Sequence, residues 1–220
     1  MASQTTPAPR PTTVGDLLAR LGGIPAGRVR LHPTPGTATE QDMLDVRARE
    51  DRLCELVDGV LVEKPMGFEE SRIAVVLIGY LISYLKQADL GCVLGADAAV
   101  RLFPGLVRIP DVAFISWARY PKGKRGRGTI PSLAPDLAVE VLSKGNPKKE
   151  MRRKLGEYFR AGVRLVWYVD PKSHTVRVYT APDRSVLLTE GQVLDGGDVL
   201  PGFALPLRTW FAEAERSEPK

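Results

Sequence analysis

The stretch Asp136-Leu137-Ala138-Val139-Glu140-Val141-Leu142-Ser143 constrains this chain more than any other. Pro135 precedes it and Gly145-Asn146-Pro147 follows, so it reads as a short buried strand with sharp ends. Side chains alternate along a strand, which puts Leu137, Val139 and Val141 on one face and Asp136, Ala138, Glu140 and Leu142 on the other. A carboxylate in the middle of a buried strand is costly unless something pairs with it. Glu140 therefore demands a cation, a hydrogen-bond network or a metal.

The rest of the composition narrows which of these it is. The 220 residues contain only two histidines, His32 and His174, and two widely separated cysteines, Cys54 and Cys92. A zinc site built on histidine is excluded, and a Ser-His-Asp triad is disfavoured. The cysteines read as reduced thiols rather than a disulfide. Any chemistry then falls to carboxylates, lysines and an oxygen-preferring ion. The net charge of +5 admits a polyanionic partner without demanding one. Met1 to Arg10 lacks the apolar run of a signal peptide and nothing approaches a membrane span, so a cytoplasmic protein is expected.

Along the chain, residues 1–36 are rich in Pro, Thr, Ala and Gly and read as a loose tail, with a short helix over Val14 to Leu21. Thr39 is suited to cap a helix. Asp58-Gly59 between two apolar runs, Leu53 to Val57 and Val60 to Glu63, signals a hairpin. After the break Lys64-Pro65-Met66-Gly67, an apolar stripe through Ile73, Leu77, Leu81 and Leu85 predicts a helix from Phe68 to Lys86. Glu70 lies in its first turn, where a helix N-terminus favours a carboxylate and a site role is equally open.

Short strands are expected around Gly95, and Val107 to Ser116 reads as one strongly apolar strand carrying Asp111, with Pro110 marking an edge or a bulge. Lys122, Lys124, Arg125 and Arg127 sit among glycines in a basic loop, either solvated or against a phosphate backbone. Lys148 to Ala161 is predicted helical, with Met151, Leu155, Tyr158 and Phe159 inward, Lys154 and Arg152 flanking, and Lys149, Arg153 and Glu157 pointing away. Leu165 to Pro171 reads as a buried strand and Thr175 to Thr180 as an outer one. Minor strands are expected at Ser185 to Leu188 and Val199-Leu200, and a polar end over 213–220.

Pairing the Asp111 strand with the Asp136 strand brings Asp111 and Glu140 over one sheet. Two carboxylates in one cleft suit magnesium, which takes one or two carboxylates plus water and phosphate. Such an ion acidifies a bound water and stabilises phosphoryl charge, and a nearby lysine can assist. A structural ion pair between Glu140 and Lys154 would use the same residues.

Several motifs occur in one order: Glu55-Leu56-Val57-Asp58-Gly59, Pro110-Asp111-Val112-Ala113, Pro135 to Ser143, Lys154 with Tyr158, Gly162-Val163, Trp167-Tyr168-Val169-Asp170-Pro171 and Pro201-Gly202-Phe203. Together, from about Thr39 to Phe211, they closely resemble the Uma-two family within the PD-(D/E)XK nuclease superfamily. The resemblance implies an α/β (α+β) restriction-endonuclease-like domain over 37–212, a mixed sheet flanked by helices. It also implies magnesium-dependent hydrolysis of DNA phosphodiesters, with manganese as a substitute ion, by a homodimer. By position Asp111 and Glu140 are the expected metal ligands, with Glu70 an additional one. The lysine usual two residues after the glutamate is Leu142 here, so Lys154 on the following helix takes its expected place. A histidine common in relatives near the start of the first long helix is replaced by Glu69-Glu70-Ser71. These departures keep a second expectation open, an inactive nuclease fold serving as a DNA-binding or dimeric interaction module.

Overall fold

The computed structural model describes residues 11–65, 67–120 and 130–216. Helix α1 is Val14–Arg20 and α2 is Glu40–Glu50; Thr13 and Thr39 cap them in reciprocal boxes with Asp16 and Asp42. Strands β1 (Cys54–Val57) and β2 (Val60–Glu63) form the expected hairpin. Its turn needs positive φ at both central residues, which Asp58 (51°) and Gly59 (74°) supply. A Cβ on Gly59 would also lie 2.6 Å from the Gly36 carbonyl, so that position excludes any larger residue.

Helix α3 (Phe68–Ala88) leads through β3 (Gly91–Leu94), β4 (Val100–Phe103) and β5 (Leu106–Arg108) to β6 (Val112–Ser116) and β7 (Leu137–Val141). Then come α4 (Lys148–Arg160), β8 (Leu165–Asp170), β9 (Thr175–Ala181), β10 (Arg184–Leu188), β11 (Val193–Asp195), β12 (Ala204–Pro206) and α5 (Leu207–Ala214). Six strands form a mixed sheet in the order β10-β9-β8-β7-β6-β3, in which only β7 and β8 run parallel. Four more form an antiparallel sheet, β2-β1-β5-β4, and β11 pairs with β12.

The alternation predicted for β7 separates two cores. Leu137, Val139 and Val141 pack with α3 and α5 through Leu77, Leu81, Trp210 and Phe211. Ala138 on the opposite face joins Val166 and Tyr168 against Met151, Leu155 and Tyr158 of α4, and this core continues into the four-stranded sheet through Val57, Val62 and Val100. Helix α2 closes the far side of that sheet with Met43 and Val46 over Leu56 and Leu61. Glu140 thus faces the layer shared by the large sheet, α4 and the small sheet.

Four expectations are corrected. The apolar run Val107 to Ser116 is two strands in two different sheets, broken at Ile109-Pro110-Asp111, because Pro110 lacks the N–H that a continuous ladder requires. Residues 11–36, read as loose tail, pack into the fold: Leu17, Leu21 and Ile24 are buried, and buried Arg28 forms a bidentate pair with Glu150. Strand β9 is not outermost, since β10 covers it. Val199-Leu200 is buried but not a strand, while the flanking ribbon and α5 carry the chain on to residue 214. No helix among the described residues is long and apolar enough to cross a membrane.

Leu77 is fully buried between α3 and the large sheet, whereas Val75, two residues earlier on the opposite face, is 61% exposed. Leu77→Ala should cost about 2–5 kcal/mol in urea denaturation, and Val75→Ala should stay within about 0.5 kcal/mol.

Candidate active site

Asp111 sits immediately before β6, and the register Val112 to Val139 sets it beside Glu140 of β7. Its backbone N–H donates to the Val139 carbonyl at 3.0 Å, and the Val141 N–H donates to its Oδ2 at 2.7 Å. The carboxylate is therefore aimed by the end of the ladder itself. The Nζ of Lys64 lies 2.9 Å from Asp111 Oδ1 and also donates to the carbonyls of Ile109 (2.7 Å) and Ala96 (3.2 Å).

Glu140 is answered from α4. The Tyr158 hydroxyl donates to its Oε1 at 2.5 Å, and Lys154 Nζ stands 3.3 Å from both carboxylate oxygens. Lys154 is shared: its Nζ is 3.0 Å from Oε1 of Glu55 on β1. Glu55 also accepts from Arg108 Nη1 at 2.7 Å and the Ile109 N–H at 3.2 Å, and Arg108 reaches Glu157 at 2.5 Å. Glu55, Arg108, Glu140, Lys154 and Glu157 are all buried. Glu157, expected to point away from the core, thus points inward, where Arg108 and Arg153 pair with it.

Protonation follows from this wiring. Burial pushes the Glu140 carboxyl up; Lys154 offsets this in part, while nearby Asp111 and Glu55 add to it. For Glu55 burial pulls the same way, but Lys154 and Arg108 prevail and hold its carboxyl far below the usual range. Lys154 is disfavoured as a cation by burial, yet Glu140 and Glu55 outweigh that and raise it above an ordinary lysine. The Tyr158 hydroxyl is pushed well up by burial and by Glu140. The group therefore holds a firm ammonium between one firmly ionised carboxylate and one that is reluctant to ionise.

Asp111, Glu140, Lys64 and Lys154 open onto a cleft of about 690 Å³, with Glu70, Ser143 and Asn146 on its walls. Among the described residues, five acids against three cations line it. Glu70 lies over Gly67, where a Cβ would come within 1.7 Å of Oε2, so a larger residue at this helix start would push the Glu70 carboxylate aside. Among the described residues no three His, Cys, Asp or Glu side chains gather as a ready metal cluster. Asp136 lies off the cleft; it accepts the Ser116 N–H at 2.8 Å and meets Arg119 at 3.2 Å. Lys122, Lys124, Arg125 and Arg127 lie outside the described residues.

The sequence profile of a family described as "Uma2: Putative restriction endonuclease" matches residues 40–208. The chain belongs to the Uma2 family. The match contains every residue of the buried charge group, from Glu55 to Tyr158, together with Lys64 and Asp111. A search of curated proteins finds no match. Among solved structures, one described as a putative nuclease belonging to DUF820, from Anabaena variabilis, is similar with a TM-score of 0.66 at 19% identity. The alignment covers 78% of this chain and 98% of that one. Such a likeness establishes a shared fold, and the Uma2 chain accordingly has the nuclease-type mixed sheet flanked by helices.

Sequence reasoning gave Lys64, Glu55 and Arg108 no role in this Uma2 site. The cost argument that singles out Glu140 applies equally to Glu55 in Cys54–Val57 and to Arg108 between Val107 and Ile109. Lys64 carried no such signal, because it follows a strand end in an irregular segment.

Arg108→Met should cost about 3–5 kcal/mol at pH 7, since it leaves two buried carboxylates short of a partner. The depressed Glu55 carboxyl also sets a direction in pH. Unfolded glutamate takes its proton first, near pH ~4.3, so the stability contributed by Glu55 is complete above that value and drains as pH falls below it. Urea titrations from pH 7 to 3 should show this acid loss in the wild type and a shallower one in Arg108→Met.

Proposed function

We propose that the protein is a divalent-metal-dependent nuclease that hydrolyses phosphodiester bonds in DNA. The observation carrying this reading is the position of Asp111, immediately before β6, beside Glu140 of β7, both opening onto one cleft with Lys154 against Glu140. The donor set fits a hard cation: two carboxylates, an excess of acids in the lining, and a cleft large enough for water and phosphate. Asp111 and Glu140 would hold magnesium or manganese, and Glu70 on the same wall is the candidate further donor. A bound ion would acidify a water and carry charge on the phosphoryl oxygens.

The chain's own groups have narrower roles. Lys154, kept cationic by Glu140 and Glu55, is suited to donate hydrogen bonds to the attacking water and to offset charge, not to remove a proton. Tyr158 holds one oxygen of Glu140 and leaves the other facing Lys154 alone. Lys64 neutralises Asp111 and brings a second ammonium to the cleft. Lys122, Lys124, Arg125 and Arg127 would contact the phosphates flanking the cut.

With supercoiled plasmid and magnesium, Glu140→Gln and Asp111→Asn should abolish cleavage while the protein still folds, as shown by a cooperative urea transition. Lys154→Met should lower the rate by about 10²–10³-fold. Wild-type cleavage by Glu140→Gln would refute the assignment.

One observation favours a second reading, a nuclease fold without activity that serves as a DNA-binding or dimeric interaction module. Both carboxylates already have an ammonium partner, and Lys154 is locked between two acids. Isothermal titration with manganese separates the two: heat that disappears in Asp111→Asn supports the nuclease, and no heat with the wild type supports the module.

A further inference from the structure

A second cleft, of about 590 Å³, lies between α4 and the β8–β10 part of the large sheet. Its charge is opposite to that of the first: among the described residues, Lys148, Arg152 and Arg177 face it against a single acid, Asp170. None of the three cations has an ion-pair partner among the described residues; the one polar contact, from Arg177 to the Ser185 hydroxyl, is long at 3.5 Å. Cations without partners around a concavity have no structural task of the kind that Arg28 or Arg108 performs.

The floor is aromatic. Tyr168 and half-buried Tyr179 meet edge to face at 5.2 Å, and Tyr168 is fixed by its hydroxyl donating to the Met151 carbonyl at 2.7 Å. The hydroxyls of Ser173 and Thr175 complete the polar rim. Cations for phosphate, a ring for a base and hydroxyls for sugar or base edges are the elements of a single-strand binding groove. The two clefts share a wall: Ser143 and Asn146 line the first, Leu142 and Asn146 the second.

We infer that the second cleft binds the nucleotides flanking the cleaved phosphodiester, so that one strand runs from Asp111 and Glu140 across Asn146 onto Arg152, Arg177 and Tyr179. This rests on the nuclease reading for the direction of the strand, but the binding itself needs no metal and no cleavage. A strand here must be unpaired, because a base on Tyr179 is out of its duplex stack.

The test is fluorescence anisotropy of the full chain with a labelled twelve-nucleotide single-stranded DNA in EDTA. Arg152→Glu/Arg177→Glu should weaken binding about tenfold or more and flatten the log affinity against log salt slope by about 1.4. Tyr179→Ala should weaken it about fivefold or more. A control of equal charge change, Lys86→Glu/Arg208→Glu, should bind within about twofold of wild type. Wild-type affinity and slope in the double variant would overturn the proposal, as would equal weakening by the control. Competition by free AMP at oligonucleotide-like affinity would also overturn it, in favour of a mononucleotide site. If no variant or metal ever yields cleavage but the Arg152/Arg177 effect holds, the nuclease reading falls and the strand groove stands.

Discussion

The ammonium of Lys154 is the point on which this fold turns. It touches Glu55 from the four-stranded sheet and Glu140 from the six-stranded sheet, while its own backbone belongs to α4. Removing any of these charges from water costs several kcal/mol, and only close pairing with satisfied hydrogen bonds returns it. The layers can therefore approach only in the arrangement that brings all of them together. Helical spacing makes this feasible, since Lys154, Glu157 and Tyr158 fall at intervals of three and four and share one face of α4. Lys154 and Tyr158 answer Glu140, and Glu157 answers Arg108.

This explains why a site with two carboxylates can persist in a folded chain. Like charges in close reach repel, and Asp111, just before β6, lies beside Glu140 of β7. Lys64 and Lys154 each neutralise one of them from a different element, so neither acid relies on a bound ion for folding. Under the nuclease reading, stability and affinity for an ion would compete: the better the ammonium groups satisfy the acids, the less an ion would gain by entering.

Much of this was legible before any coordinates. The buried acid in Leu137–Val141 identified the strand and its need for a buried partner, and alternation assigned its faces correctly because side-chain direction in a strand is fixed by geometry. Thr39 and Asp58-Gly59 announced a helix start and a turn for equally local reasons. What stayed hidden was long-range. Nothing in the helical pattern of α4 tells that Glu157 turns inward, because its reason, Arg108, lies 49 residues away. Arg28, 122 residues from Glu150, hid the packing of the N-terminal segment in the same way. Lys64 was hidden because no periodicity governs the residue after a strand.

The switch between sheets at Ile109-Pro110-Asp111 carries one more consequence. Arg108 ends a strand of the small sheet and Asp111 adjoins a strand of the large one, so two residues separate the anchor of the buried charge group from an acid of the cleft. That bridge is also stitched laterally, by Glu55 to the Ile109 N–H and by Lys64 to the Ile109 carbonyl. The segment acts as a ruler of fixed length. Adding or deleting one residue there would move Arg108 and Asp111 out of phase by a full residue spacing, roughly 3.3 Å, which no side-chain rearrangement on either sheet can absorb. Divergence in this chain is thus free to change the identity of many residues, but the count between 108 and 111 is held by both sheets at once.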